Sequence, residues 1–443
     1  MSLSRRLFLA ASAAAAVTPA RGASRSSSSD DVDVVVVGAG AAGIAAGRRI
    51  AAAKRRFVIV EAADRVGGRC VTDTQIFGMP YDRGAHWIHM PDLNPVTKLA
   101  PSTGLDVYPA PPGQRVRIGR RYARSGEMED FLSALVRSNR AITEAARGKA
   151  DLSCAQALPK DLLDWRRSVE FVLGPFGCGK ELSDVSAMDF AKSVERDVDA
   201  FCRQGFGALI AKLATGLLVR VSNPVTQLNW GRRGIEVETS KGQINARAAI
   251  VTVSTAVLSA GKIKFDPDLP KRQLDAASKL TLGSYDHIML ELPDNPLGLQ
   301  PDDLMFEKPD GTRTGAVLAN ISGTPLTMVD VGGNFGRDLS AQGEAAMVDF
   351  ALGWLGNLYG ADMKKAVRRS HATRWNDEPW ALGAFSAASV GGQGARRILM
   401  EPVRDRLWFA GEAAHETLWG TVGGAWESGE RAADAALKSL GRR

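Results

Sequence analysis

The chain is poor in the features that mark metal proteins, membrane proteins and nucleic-acid binders. Its four cysteines, Cys70, Cys154, Cys178 and Cys202, include no CxxC pair, and no histidine stands at metal-ligand spacing, so no metal site is expected. The last three allow a disulfide in an oxidising compartment without requiring one. Leu7 to Pro19 is the only long uncharged apolar run near the start, and it is too short to span or anchor in a membrane. No internal repeat is present. The formal charge of +7 includes Arg5, Arg6 and Arg21, which leaves +4 on the remainder, too weak and too dispersed for nucleic acid.

What the chain does have is bulk. Its 443 residues, 45% hydrophobic and 24% charged, can bury a large core, and a soluble globular protein of two domains is expected. Residues 1–23 read as a leader. Arg5 and Arg6 follow Ser4 and precede Leu7, Phe8 and Leu9, and an alanine-rich apolar run comes after them. This is similar to a twin-arginine export signal, and the resemblance implies a periplasmic protein that is carried across the membrane already folded. "SRSSSSDD", residues 24–31, reads as a linker.

The folded part should begin near Val32. "DVVVVG" is the nearly all-apolar, β-branched run of a central parallel strand, "AAGIAAGRRIAAA" is a helix, and "RRFVIVEAA" is a second strand, which makes a βαβ unit. Residues 96–204 show helical spacing and few strand signals, so a helical lobe is expected there. Strand patterns return in "VSNPVTQLNW", "GIEVETSKGQINARAAIVTVS", "HIMLELP", "AVLANIS", "LTMVDVG" and "DRLWFAG". A last helix is expected from about Gly424 to Leu440.

Gly38, Gly40 and Gly43 form GxGxxG between the first strand and the first helix, and Glu61 closes the second strand about 20 residues on. Glycines there let backbone approach a pyrophosphate at a helix N-terminus, and the carboxylate suits a ribose diol. Gly67, Gly68 and Arg69 follow at once, which a simple nicotinamide dehydrogenase does not need. They resemble the flavoprotein signature that meets the FAD diphosphate. "RLWFAGEAA" likewise resembles the flavoprotein segment in which an acid, here Glu412 after Gly411, binds the ribityl chain.

"EAADRVGGR", "DRGAHWIHMPDLNP", "NPVTQLNW", "RLWFAGE" and "GTVGGAWESGERAA" occur in the order found in the flavin-dependent amine oxidases, a family that includes polyamine oxidases, monoamine oxidases and histone lysine demethylases. The match is firm at both ends of residues 32–440 and loose in the helical lobe. The resemblance implies an α/β fold with a discontinuous Rossmann-type FAD domain, residues 32–95, 205–275 and 395–440. A mixed α+β substrate domain would comprise 96–204 and 276–394. It implies FAD contacts at Ala42, Ala62, Gly84, Ala85, His86, Trp87, Val225, Thr421, Val422 and Ala425. Trp375 and Trp380 resemble framework residues of the family, with Trp380 also at the cofactor.

That family removes a hydride equivalent from the carbon beside a neutral amine, a reaction needing positioning more than a strong base. The final helix can stabilise negative charge on the reduced ring through its dipole and N–H groups. The resemblance places Phe385 at the first of two aromatic positions flanking the amine and Thr421 at the second, with Trp419 close by as a substitute. Core packing is the competing reading of Phe385 and Trp419. Ala384 stands where monoamine oxidases carry the cysteine bonded to FAD, so the cofactor should be noncovalent. His89 falls where polyamine oxidases place a histidine near the substrate amine, able to share a proton.

The main departure is His287, at the position of a lysine that holds a water near the flavin. A histidine is shorter and mostly neutral. If the lysine aids reaction with oxygen, this chain would be a slow oxidase or would pass electrons to another periplasmic acceptor. Amino-acid oxidases need an arginine for the substrate carboxylate, and only Arg83 is offered, which disfavours that substrate. A carotenoid desaturase or porphyrinogen oxidase on the same fold is opposed by the "HWIH" histidine and the "LGAF" aromatic. A small-molecule amine, a polyamine among the choices, is the expected substrate.

Overall fold

The computed structural model of the protein describes residues 31–193, 198–231, 234–360 and 362–441. The leader, and all of the linker but its last residue, lie outside the described residues.

The strand Val32–Val37 lies inside an eight-stranded sheet, pairing in parallel with Phe57–Val60 on one side and Gly242–Val251 on the other. Val34, Val35 and Val36 are fully buried. An all-apolar β-branched run is what such a position selects, because both faces are covered and each buried valine contributes about 1.5–3 kcal/mol. The long strand Gly242–Val251 is the organiser of the sheet. Its first half pairs antiparallel with Ile235–Thr239, and its second half pairs in parallel with Leu407–Phe409. Three distant parts of the sequence thereby reach one sheet.

The helix Ala41–Ala52 covers this sheet together with the final helix, Val422–Gly441. Their contact is made of small residues, Ala42 and Ala46 against Ala432, Ala433 and Ala436. Gly429 lies so close that an added Cβ would stand 2.0 Å from the Ala42 carbonyl oxygen. The final helix begins two residues before the expected Gly424. Thr421 explains this, because its hydroxyl accepts from the Gly424 N–H at 2.9 Å and caps the first turn.

A second sheet of seven strands includes the expected Tyr285–Glu291, Ala316–Leu318 and Leu326–Gly332. It also takes in Arg115–Ile118 and Arg121–Tyr122 from the middle of the chain, where a helical lobe was expected. Asp199–Cys202 is a further strand there, pairing with Ile88–His89 and Val107–Pro109. These strands are two to four residues long, so even the alternation of Arg115–Ile118 is too brief to reveal them. The helical part of the segment is real but smaller, with Ser125–Ala145 its longest helix. All four cysteines are buried and none is in a disulfide.

Candidate active site

The glycine loop is held by backbone contacts that admit no side chain. A Cβ on Gly43 would stand 1.9 Å from the Gly38 carbonyl oxygen, and one on Gly38, whose φ is +104°, would stand 2.5 Å from Thr252 Oγ1. The helix therefore starts directly against the turn. The second glycine pair lies beside the first, with the Gly67 N–H donating to the Ala39 carbonyl at 2.8 Å. Glu61 is buried at the end of its strand and accepts from the Ala39 N–H at 2.6 Å and the Ala63 N–H at 2.8 Å. Burial pushes its pKa up, against those amide donors.

Arg69 and Glu412 join three segments. Arg69 Nη1 donates to the Ala384 carbonyl and lies 3.1 Å from Glu412 Oε1. Glu412 Oε2 accepts from Ser386 Oγ at 2.7 Å and from the Gly420 N–H at 3.1 Å. Burial works to raise this carboxyl, but Arg69, Ser386 and Arg396 outweigh it and hold it below its ordinary value. Arg396 is buried behind them. It pairs with Asp189 at 2.9 Å, donates to Ser386 Oγ at 3.1 Å, and sets its guanidinium 4.7 Å over the Trp419 ring.

One continuous cavity of about 820 Å³ runs from the glycine loop to the second sheet and the middle segment. Its size suits a cofactor together with a small substrate. At one end it is lined by Gly38, Gly40, Ala42, Glu61, Ala62, Gly68, Arg69 and Val225, and further along by Gly84, Ala85, His86, Trp87, Gly411, Glu412, Thr421, Val422 and Ala425. Gly43 alone of the sequence-predicted residues does not line it, since it packs behind Gly38. Arg83 does not line it either. Trp375 is buried and donates from Nε1 to the Arg83 carbonyl at 2.8 Å, as a framework residue would. Trp380 instead leaves 43% of its surface exposed while lining the cavity, so it is no core residue.

At the other end stand His89, His287, Phe385 and Trp419. Phe385 is half-buried, and Trp419 is only 1% exposed, so the indole is both core and wall. Tyr285, which sequence reasoning missed, also lines this end, its ring 5.8 Å from Phe385 and 5.7 Å from His287. The signal was available, because Tyr285 stands two residues before His287 on one face of a strand. Thr421 does not present its hydroxyl as an amine wall, since Oγ1 donates to the Leu418 carbonyl at 2.7 Å while capping the helix.

His287 differs from the mostly neutral ring expected. Its Nδ1 lies 2.5 Å from Asp330 Oδ1 and its Nε2 lies 2.8 Å from the Gly84 carbonyl. Two acceptors require two ring protons, which makes an imidazolium. Burial opposes that charge, but Asp330 and the Gly84 carbonyl outweigh it and raise the pKa. Both nitrogens are committed, so in this geometry the ring holds no water. His89 lies opposite Asp199 in a strand pair, with Nδ1 2.6 Å from Oδ1, and both residues line the cavity. Asp199, Asp330 and Arg396 were not found from the sequence. Among the described residues no cluster of histidine, cysteine, aspartate and glutamate could hold a metal ion.

A glycine-loop dinucleotide cradle opening onto an aromatic chamber defines a flavoprotein oxidoreductase. Comparison with known proteins narrows the class. Residues 41–437 match the model of the flavin containing amine oxidoreductases, and the chain belongs to that family. It is similar to polyamine oxidase 2 of Arabidopsis thaliana, 27% identical over 427 residues covering 87% of this chain and 84% of the relative. Lysine-specific histone demethylase 1B of Mus musculus is 26% identical over 411 residues, and there the match spans 49% of the relative's length. Among solved structures, the fold matches cyclohexylamine oxidase from Brevibacterium oxydans IH-35A with a TM-score of 0.79 and 20% identity, covering 93% of this chain and 100% of that one. Putrescine oxidase bound to putrescine matches with a TM-score of 0.77 and 20% identity, over 92% and 99% of the two chains. The protein is a flavin-dependent amine oxidoreductase.

Proposed function

We propose that the protein binds FAD noncovalently and oxidises the C–N bond of an amine in the chamber walled by Phe385, Tyr285 and Trp419. The observation that carries this reading is the single cavity joining the glycine loop to that chamber. FAD held in this cavity would supply an acceptor for the hydride equivalent that leaves the carbon beside the amine nitrogen. The fit is good at each point along the cavity. Gly38 and Gly40 allow close backbone approach, Glu61 has lone pairs left for a ribose diol, and Val225 opens a strand at the adenosine end.

The chain's own residues then have distinct tasks. Phe385 and Tyr285 orient the neutral amine and exclude water from it. His89, oriented by Asp199, takes the proton from an arriving ammonium. The capped N-terminus of the final helix offers unpaired N–H groups where negative charge develops. The product imine is hydrolysed by water to an aldehyde and ammonia or a smaller amine. The two electrons pass to oxygen, giving hydrogen peroxide, or to another periplasmic acceptor.

The leader, read as a twin-arginine signal, supports a periplasmic location. The resemblance to polyamine oxidases makes a polyamine one candidate substrate, and the cavity wall bears on that choice below. Purified protein should show a flavin absorbance spectrum, release FAD on denaturation, and bleach anaerobically with an amine. A spectrum that no amine bleaches would remove the amine reading.

A further inference from the structure

We infer that the substrate carries one cationic nitrogen on a bulky apolar body, rather than the several ammonium groups of a polyamine. The inference rests on the amine reading above and narrows it. The far lobe of the cavity is walled by Leu135, Val172, Leu173, Phe176, Phe190 and Leu304. All six are partly buried side chains packed against the core cluster that contains Trp419, and each also lines the cavity. Phe176 continues the aromatic wall, its ring 6.1 Å from Tyr285, which in turn lies 5.8 Å from Phe385.

The carboxylates that line the cavity among the described residues stand elsewhere or are engaged. Glu61 accepts from backbone amides of the glycine loop, and Glu412 pairs with Arg69. Glu378 faces the charge of Arg65, and Asp199 takes His89. Among the described residues, the Asp199–His89 pair is the acidic group that adjoins the substrate end, and it can receive a single ammonium.

An alkyl or aryl body laid along the six apolar side chains removes their surface and its own from water, which favours binding. A second ammonium three to six carbons from the first would meet that wall and the neutral groups of Asn139, Thr143 and Ser193 with no free carboxylate among the described residues, and a buried charge without a counter-charge opposes binding. The two effects act in the same direction, so the discrimination should be large.

The test compares four amines in the holoenzyme, two of which, hexylamine and 1,6-diaminohexane, share one carbon chain. Hexylamine, 2-phenylethylamine, 1,6-diaminohexane and spermidine are mixed anaerobically with the protein, and flavin bleaching is followed to give a rate and an apparent dissociation constant. Rate divided by dissociation constant should be at least about 100-fold higher for hexylamine than for 1,6-diaminohexane. Equal or faster bleaching by the diamine overturns the inference while leaving the amine reading intact. Bleaching by none of the four removes the amine reading itself. Leu135→Glu, on a half-exposed helix face, should shrink the hexylamine preference by about 10-fold by giving the second ammonium a partner. An unchanged ratio in that variant would also overturn the assignment of this lobe.

Discussion

His287 and Asp330 face each other across an antiparallel strand pair, with Nδ1 2.5 Å from Oδ1 and the Gly84 carbonyl closing the other side of the ring at 2.8 Å. The second carboxylate oxygen of Asp330 accepts from the Tyr285 hydroxyl at 3.0 Å. A fixed cation, its counter-ion and an aromatic wall of the chamber therefore form one unit. Its charge is neutralised within the protein, so it shapes the wall without attracting a second anion.

The proton on His287 should be visible in stability. Burial lowers the ring's pKa, but Asp330, the Gly84 carbonyl and Asp286 more than reverse this, so the folded value lies above the ordinary one of about 6.5. The stabilisation is then complete below about pH 6.5 and is lost as pH rises through the folded value. The difference in melting temperature between wild type and His287→Gln should be wider at about pH 6 than at about pH 9. Asp286, raised to about 6 by burial, is held lower by His287 in turn, so its attraction to the charged ring is part of the same stabilisation and is lost in the variant. A difference that is the same at both pH values would mean that the ring is neutral.

Asp199 should matter through His89. Removing the carboxylate leaves the imidazole free to turn, without touching the aromatic walls. In Asp199→Asn the rate of flavin bleaching by an amine should fall about 10-fold, less than the 10²–10⁴ of a lost general base. A rate equal to that of the wild type would leave the pair a structural contact between two strands.

Two glycines should separate folding from cofactor binding. In Gly43→Ala the methyl meets the Gly38 carbonyl at 1.9 Å, backbone that no rotamer change can relieve, so the apoprotein should lose about 1–3 kcal/mol and its flavin. A Cβ added to Gly40 would meet nothing nearer than 3.8 Å, and the residue has an ordinary φ of −75°. Gly40→Ala should keep the apoprotein's stability to within about 1 kcal/mol while weakening FAD binding about 10-fold, because the methyl occupies the approach to the pyrophosphate. The ratio of flavin to protein absorbance, read beside the apoprotein melting temperature, distinguishes the two. Full flavin loading of Gly40→Ala would place the pyrophosphate elsewhere.

The α/β half of the fold was legible because its signals are local. "VDVVVV" is buried on both faces, GxGxxG sits where a strand becomes a helix, and Glu61 lies within one βαβ unit. The rest was not legible because its partners are distant. Asp330 is 43 residues from His287, Asp199 is 110 from His89, and Asp189 is 207 from Arg396, so each pair exists only through a strand register or a packed core. The strands Arg115–Ile118 and Arg121–Tyr122 are four and two residues long, too short for their pattern to stand out, and it is tertiary pairing that makes them strands. Trp380, read as a framework residue also at the cofactor, does line the cavity, and only its 43% exposure departs from a framework role.

The flavin should leave the denatured chain. Ala384 lines the cavity and its carbonyl takes Arg69, but a methyl offers no sulfur for a bond to the ring. Acid precipitation should therefore leave essentially all yellow colour in the supernatant, identified as FAD by chromatography. Colour that stays with the pellet would require a covalent link at some other residue.

Export should depend on cofactor loading through Arg5 and Arg6. The three parts of the sequence that meet at the strand Gly242–Val251 all contribute to the cavity, so FAD bound there ties them together. Binding to the folded state alone adds about 2.7 kcal/mol of stability when free FAD is 100-fold above its dissociation constant. An empty chain is looser, and a route that carries folded cargo should pass less of it. Glu61→Ala removes the carboxylate that receives the Ala39 and Ala63 amides and is placed for the ribose. It should lower flavin occupancy and the periplasmic fraction together, and excess riboflavin in the medium should partly restore both. Arg5→Lys with Arg6→Lys should instead hold fully loaded protein in the cytoplasm. Fractionation followed by flavin fluorescence reads both quantities in each compartment, and a double-lysine variant that reaches the periplasm at the wild-type level would show that the leader works by another route.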